Sequence, residues 1–138
     1  LDDRIRLLQG DLFAPLGSRR YDLILTNPPY VTDAAVADFP PEYKAEPELA
    51  HRAGPDGLDL ARRILADAGT HLAPDGQIII EVGHAGLALA ASFPDLPFVW
   101  IETATSSGEV AALPASAFHN SSKPRFPALK APPKRRRS

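Results

Sequence analysis

The chain orders its apolar segments as a strand, a helix and a second strand, and this order restricts its possible folds more than any other feature. Residues 21–27, YDLILTN, contain an uninterrupted apolar run that is typical of a strand buried on both faces. Residues 54–72, GPDGLDLARRILADAGTHL, place their apolar side chains on one helical face, and residues 77–83, QIIIEVG, are rich in β-branched residues. The order predicts a right-handed parallel crossover and therefore an α/β fold.

Shorter patterns surround this unit. A strand is predicted in RIRLLQG, residues 4–10, and Asp56 is placed to cap the helix. The other predictions are a turn at residues 74–76, a short helix over residues 85–92, and two strands, PFVWIET (residues 97–103) and GEVAALP (residues 108–114). Because so few residues separate the last two strands, they can pair only as an antiparallel hairpin. The proline-rich residues 31–55 are predicted to form an irregular functional loop.

Composition excludes several classes of protein. At 138 residues the chain is about as long as one domain. It has no cysteine, which rules out disulfides, thiolate metal sites and cysteine nucleophiles, and its four histidines lack metal-ligand spacing, so we expect no metal. No apolar run approaches the roughly 20 residues of a membrane helix, so we expect no membrane partner and a cytoplasmic location. The opening residues, LDD, and the absence of methionine predict the interior of a longer gene product.

The formal net charge of −2 conceals an uneven distribution. Residues 123–138 hold seven basic residues and no acidic one, whereas the first 122 residues hold 8 basic and 17 acidic side chains. An acidic body disfavours general nucleic-acid binding, because neutralising phosphates requires a basic surface. We therefore expect one folded domain over residues 1–118, followed by a disordered, basic, proline-rich tail over residues 119–138. Weak RNA contact is expected only through residues 123–138.

The polar end of the first crossover strand carries the strongest chemical signal. Asn27, Pro28, Pro29 and Tyr30, called the NPPY segment below, follow the strand at the edge where open α/β sheets bind ligands. Each proline fixes its own φ, so the segment is rigid before anything binds. The Asn27 side-chain oxygen and the Pro28 carbonyl can accept both hydrogens of a conjugated NH2 group, and Tyr30 can stack on that group. Two such bonds would aim the nitrogen lone pair at an electrophile, as amine methylation requires.

The NPPY segment and its surroundings resemble a known family. TNPPY after a buried strand is the signature of S-adenosylmethionine-dependent amino-methyltransferases. The blocks EYKAEPELA, GPDGLDL and GQIIIEVG are similar to the HemK-type protein glutamine methyltransferases, most of all to those that modify ribosomal protein L-three. The similarity covers roughly residues 4–103. It implies a Rossmann-like sheet of strand order 3-2-1-4-5-7-6, of which this chain would hold the C-terminal portion with a final antiparallel hairpin. The first two strands and the Gly-rich cofactor loop would be missing.

The resemblance implies roles for individual residues in a methyl transfer to the side-chain amide nitrogen of a glutamine in a ribosomal protein. Asn27, Pro28 and Pro29 would hold the glutamine amide, and Tyr30 would pack against it. Glu46 would help to close the substrate pocket.

The same resemblance implies contacts with the methyl donor, S-adenosylmethionine. Asp11 and Leu12 fall at the turn that contacts its adenine, and Asn27 would also lie near its methionine part. The full-length parent would be active, whereas we expect this chain by itself to be inactive.

Other interpretations stay open. Release-factor glutamine methyltransferases share the Asn-Pro-Pro-Tyr, Glu-Pro and Asp-Gly-Leu landmarks. Adenine-amino DNA methyltransferases share the tetrapeptide, although base flipping needs a basic recognition surface that the acidic body does not offer. A non-enzymatic alternative is an inactive fragment whose basic tail binds RNA. Among single residues, the proline pair could be a strand stop, Asp11 a turn residue and Glu46 a solvated loop residue.

Overall fold

The computed structural model describes residues 4–30, 32, 54–102, 104 and 107–119. Its regular elements are β1 (Tyr21–Thr26), α1 (Asp59–His71), β2 (Leu72–Glu81), α2 (Gly86–Ser92), β3 (Val99–Ile101), β4 (Val110–Pro114) and α3 (Ser116–His119), with 3-10 turns at Ala14–Leu16 and Gly83–Ala85. None of the helices in these ranges combines the length and the apolar character needed to cross a bilayer. Most of the loop predicted over residues 31–55, and the tail from residue 120 onward, lie outside the described residues.

The four strands form one mixed sheet in the order β1-β2-β4-β3. β1 and β2 are parallel, with Leu25 opposite Ile79 and Thr26 opposite Ile80, and α1 lies between these strands in the sequence. β4 is antiparallel to both β2 and β3. The predicted α/β class, the parallel pairing across the crossover and the final antiparallel hairpin are therefore confirmed.

One face of the sheet packs against the helices. α1 buries the apolar residues that its sequence spaces three and four apart, and the sheet buries alternate residues of its central strands. The buried side chains include Ala61, Ile64, Leu65 and Ala68 of α1, Ile78 and Ile80 of β2, Leu89 of α2, and Ala111 and Leu113 of β4. Fully burying a leucine or an isoleucine contributes roughly 1.5–3 kcal/mol. This layer therefore holds the sheet against the helices.

The opposite face of the sheet corrects one prediction. Leu23 and Leu25 of β1 are 50% and 74% exposed, so β1 is not buried on both faces. The prediction was wrong because an apolar run shows only that a strand can be covered on each side. The described part of the chain supplies a helical layer only over the face that carries Ile24 and Ile78.

The prediction of a strand over residues 4–10 is also wrong, since these residues form no regular element. Ile5 and Leu7 are 58% and 92% exposed, and among the described strands none lies beside this segment. An extended segment obtains its hydrogen bonds and its burial from a neighbouring strand. The alternating pattern alone is therefore not sufficient to form a strand over residues 4–10.

The start of α1 differs from its prediction. The N-cap residue is Leu58, without a side-chain capping bond, so Asp56 does not cap the helix. Instead, Asp56 Oδ1 accepts hydrogen bonds from the Leu58 backbone N–H at 3.1 Å and from Arg62 Nη1 at 2.9 Å. The carboxylate therefore links the residues before the helix to the Arg62 side chain in its first turn.

The turn predicted over residues 74–76 is part of β2 instead. The pairing register with β1 shifts between Tyr21 and Leu23, so β2 accommodates the extra residues as an irregularity within the strand. Gly76 lies there, and an added Cβ would be 2.8 Å from the carbonyl oxygen of Tyr21. The close approach of the two backbones explains why a glycine occupies this position.

Candidate functional site

The NPPY segment begins where the parallel strands β1 and β2 both end. Thr26, the last residue of β1, pairs with Ile80, and β2 ends one residue later at Glu81. Asn27, the next residue, therefore lies beside the end of β2. The carboxyl ends of adjacent parallel strands are where open α/β sheets form ligand crevices, so the segment lies at the edge predicted for it.

Two glycines from other parts of the chain hold Tyr30. A Cβ added to Gly83 would lie 2.7 Å from Cε2 and 2.8 Å from Cζ of the Tyr30 ring, so the ring lies directly against the backbone after β2. A Cβ added to Gly57 would clash with the Tyr30 carbonyl oxygen, so the backbone at Gly57, just before α1, closely contacts that oxygen. Both glycines have positive φ, 77° for Gly57 and 50° for Gly83, which other L-residues rarely adopt. The ring and the carbonyl are thus held by separate parts of the fold.

The four residues of the NPPY segment differ in exposure. Pro28 is buried and Pro29 half-buried, whereas Asn27 is exposed and Tyr30 is 36% exposed. The buried proline anchors the segment in the protein. The Asn27 side chain and part of the Tyr30 ring are left accessible to a ligand.

A charged network steadies the backbone that carries Gly57. Arg62 donates to both carboxylate oxygens of Asp56, at 2.9 and 2.5 Å, and to Ser92 Oγ in α2 at 3.2 Å. The hydrogen bond from Arg62 holds the pKa of Asp56 below its usual value, against an opposing effect of burial. Gly57 follows Asp56 directly. The Arg62 side chain of α1, bonded to both Asp56 and Ser92 of α2, therefore helps to fix the glycine that contacts the Tyr30 carbonyl oxygen.

The turn that contains Asp11 and Leu12 lies against α1. Asp11 Oδ2 accepts a hydrogen bond from Arg63 Nη2 at 2.5 Å, and the Asp11 side chain is 68% exposed. Leu12 packs half-buried against the core with φ of 48°, a left-handed conformation that is uncommon for leucine. Backbone strain of this kind is often found at functional turns. A ligand at this turn would have to compete with Arg63 for the Asp11 carboxylate.

Glu46 lies outside the described residues, so the structure does not place it. Across the ranges that the structure does describe, no group of three or more histidine, aspartate or glutamate side chains is arranged to hold a metal ion.

The sequence interpretation missed Gly57, Gly83 and Arg62 as supports of the site. Nothing in the sequence pairs Gly83 with Tyr30, because their contact arises only when β1 and β2 lie side by side. A signal did exist for Gly57, which ends the GPDG sequence just before α1. Glycines in such turns commonly have positive φ.

Several curated proteins that share the same name are similar to most of this chain. The ribosomal protein uL3 glutamine methyltransferase of Bradyrhizobium diazoefficiens is 56% identical over 110 residues, which cover 80% of this chain and 34% of that protein. The protein of the same name from Bordetella pertussis is 48% identical over 113 residues, or 82% of this chain and 38% of its own length. The Xanthomonas campestris protein is 51% identical over 100 residues, or 72% of this chain and 32% of its own length.

No protein-family model matches the chain. The chain spans about a third of the length of the curated relatives it matches. Identity near one half over 100 residues or more nevertheless reflects common ancestry. Over the matched residues, this chain is therefore homologous to the ribosomal protein uL3 glutamine methyltransferases.

Proposed function

We propose that this chain is the amide-holding part of an S-adenosylmethionine-dependent protein glutamine N-methyltransferase that acts on a ribosomal protein. The name of the relatives supports this substrate. The observation that carries the proposal is the position of Tyr30, whose ring lies against Gly83 and whose carbonyl lies against Gly57. Two other parts of the chain, at Gly57 and Gly83, thus meet the rigid polar NPPY segment at the carboxyl edge of the sheet.

The NPPY segment suits the chemistry of an amide nitrogen. This nitrogen is a poor nucleophile because its lone pair is delocalised into the carbonyl group. Asn27 Oδ1 and the Pro28 carbonyl oxygen would each accept one of its N–H bonds, which fixes its orientation and favours the pyramidal geometry in which the lone pair can react. Pro28 and Pro29 limit the backbone to one shape, so little reorganisation accompanies binding. The Tyr30 ring would give the planar amide a flat surface.

The described residues fit the methyl donor in part. S-adenosylmethionine supplies a methyl group on a positively charged sulfur, which activates it for transfer. Asn27 is exposed at the end of β1, where it can contact the methionine part of the donor, and Leu12 offers an apolar side chain for the adenine. Asp11 would contribute once its ion pair with Arg63 opens. Glu46 is proposed to close the substrate pocket.

A chimaeric enzyme tests the proposal. It is the Bradyrhizobium diazoefficiens relative in which the matched 110 residues are replaced by the residues of this chain that match them. Given S-adenosylmethionine and ribosomal protein uL3, it should add a methyl group to a glutamine, which mass spectrometry detects. Asn27→Ala should lower turnover on the order of 100-fold, while Asp67→Ala on the exposed side of α1 should not.

Two results would contradict the proposal. One is a folded chimaeric enzyme that leaves every glutamine of the substrate unmethylated. The other is an Asn27→Ala variant whose lost activity is explained entirely by a collapsed thermal transition, since Asn27 would then support the fold rather than the reaction.

The same assay separates two alternative substrates. Faster methylation of a release factor than of ribosomal protein uL3 would assign the chain to the release-factor type of glutamine methyltransferase. Methylated adenine in a DNA substrate would assign it to the DNA methyltransferases. The names of the relatives favour the ribosomal protein.

The proposal also gives the basic C-terminal tail a role of its own. We assign residues 1–118 to the catalytic domain and residues 119–138 to a basic tail that contacts ribosomal RNA weakly, a role supported by its seven basic residues. RNA binding should fall steeply with salt and disappear when residues 123–138 are deleted. A ribosomal protein substrate supports a cytoplasmic location.

A further inference from the structure

His71, the last residue of α1, is the one buried polar side chain among the described residues, with 9% of its surface exposed. Its Nδ1 lies 3.1 Å from the Arg19 carbonyl oxygen. A carbonyl oxygen can only accept a hydrogen bond, so Nδ1 carries the proton and is the donor. The imidazole ring also stacks on the ring of Phe13, with centroids 4.8 Å apart and planes 16° apart. His71 thus contacts two points of the chain before β1.

Residues 10–19, which include both of these points, form a compact loop. Three of its backbone N–H groups donate to the carbonyl oxygens three residues earlier, at 3.0, 2.9 and 3.3 Å; they belong to Ala14, Leu16 and Arg19. Gly10 closes the loop, because a Cβ added there would lie 2.8 Å from Cδ of Pro15. A loop packed on itself in this way moves largely as one unit. The two contacts of His71 therefore fix the position of the whole loop.

The turn of Asp11 and Leu12 lies in this loop and needs such support. Leu12 has φ of 48°, a conformation that costs free energy and persists only where the surrounding structure holds it. Arg63, about two turns before His71 on α1, forms an ion pair with Asp11. This pair is exposed, so it stabilises the turn only weakly, and a ligand that binds Asp11 would break it. The buried contacts of His71 remain when the pair opens.

We propose that His71 is a positioning residue for the methyl donor, because it holds the turn of Asp11 and Leu12 in place on α1. The inference rests on the donor contacts in the proposed function. The NPPY segment is held elsewhere, at Gly57 and Gly83. Loss of the His71 contacts should therefore weaken binding of the donor and leave binding of the protein substrate unchanged.

Trypsin tests the contact in the full 138-residue chain. It cleaves the Arg19–Arg20 peptide bond at the Arg19 carbonyl, which His71 binds. His71→Phe keeps a ring against Phe13 but loses the N–H donor, so cleavage there should become roughly fivefold faster. His71→Asn keeps an N–H near the position of Nδ1 and should show a smaller increase. Mass spectrometry measures each rate relative to cleavage at the arginines of α1, which requires unfolding of the helix. Unchanged cleavage in both His71→Phe and His71→Leu overturns the proposal.

Donor affinity in the chimaeric enzyme tests the positioning role. His71→Leu removes both contacts and should raise the Kd for S-adenosylmethionine, measured by calorimetry, roughly threefold or more. The KM for ribosomal protein uL3 should not change. His71→Phe and His71→Asn each keep one contact and should give intermediate Kd values.

Leu113→Ala is the matched control for lost stability. Leu113 is fully buried in β4, which β2 separates from β1, so the change lowers the unfolding free energy at a distance from the loop. Both the Kd for the donor and the KM for the protein substrate should keep their parent values in this variant.

An unchanged Kd in folded His71→Leu overturns the proposal. A KM for uL3 that rises as much as the Kd also overturns it, since His71 would then support the fold as a whole. If His71→Leu does not fold, His71→Phe and His71→Asn decide in the same way. A chimaeric enzyme whose donor affinity depends on His71 but which methylates no glutamine supports the positioning role and contradicts only the proposed methyl transfer. One that methylates glutamine with a Kd unaffected by His71 overturns only this inference.

Discussion

Tyr30 makes two separate contacts, one through its ring with Gly83 and one through its carbonyl with Gly57, and each can be altered alone. Tyr30→Phe keeps the ring, so the chimaeric enzyme should retain most of its kcat/KM for methyl transfer. Tyr30→Ala removes the stacking surface and should lower kcat/KM roughly tenfold or more, as expected when an aromatic contact is lost. Equal losses in the two variants would show that the hydroxyl, and not the ring face, is the functional group.

Gly57 and Gly108 form a matched pair for testing the backbone contact. Their φ values are 77° and 75°, but an added Cβ meets the Tyr30 carbonyl at Gly57 and no atom within 4 Å at Gly108. Alanine at either position should lose about 1–3 kcal/mol of unfolding free energy to backbone strain. Only Gly57→Ala should also displace Tyr30, so it should show the larger loss in urea unfolding and the only loss of methyl transfer. If the two variants lose the same unfolding free energy and keep the same methyl-transfer activity, Tyr30 can shift to accommodate the Cβ added at Gly57.

The approach to α1 is an element whose stability depends on pH. Arg62 lowers the pKa of Asp56 in the folded chain, so the ion pair is fully stabilising above the usual aspartate pKa of 3.8 and is lost as the pH falls below that value. Because Asp56 is 46% exposed, the contribution should be no more than about 1 kcal/mol. Urea unfolding from pH 7 down to pH 3 should show a shallower acid loss for Asp56→Asn than for Asp67→Asn. If both variants lose the same unfolding free energy between pH 7 and pH 3, carboxylates other than Asp56 cause the pH dependence.

Elements with a local signal were predictable, and elements that depend on a neighbour were not. α1, observed at Asp59–His71, follows from the apolar spacing within residues 54–72. Residues 4–10 carry a strand-like alternation and Leu25 sits in a strand-like apolar run, but neither pattern reveals whether another strand or layer lies alongside. The site divides in the same way. The NPPY segment was found because its signal is contiguous, whereas Gly83 reaches Tyr30 only through the pairing of β1 with β2.

At the scale of the whole molecule, the distribution of glycine predicts whether the isolated chain binds the methyl donor. Its nine glycines never form Gly-x-Gly, the turn that the family resemblance associates with donor binding. We expect no useful affinity for S-adenosylmethionine and no methylation by the isolated chain. Isothermal titration calorimetry measures this, with the chimaeric enzyme as the binding control. Micromolar binding by a folded, monomeric sample of the isolated chain would contradict the expectation.

The contact between Tyr30 and Gly83 should be visible in proton magnetic resonance. Three ring atoms of Tyr30 lie 2.7–3.2 Å from the position of an added Cβ, on the side of one of the two α-protons of Gly83. The circulating ring electrons alter the magnetic field at that proton more than at its partner, so the two resonances of this glycine should separate from each other and leave the usual glycine range. Since the separation requires the ring and the glycine to be in place together, one pair of signals reports whether this edge of the sheet is assembled before any substrate or methyl donor is added.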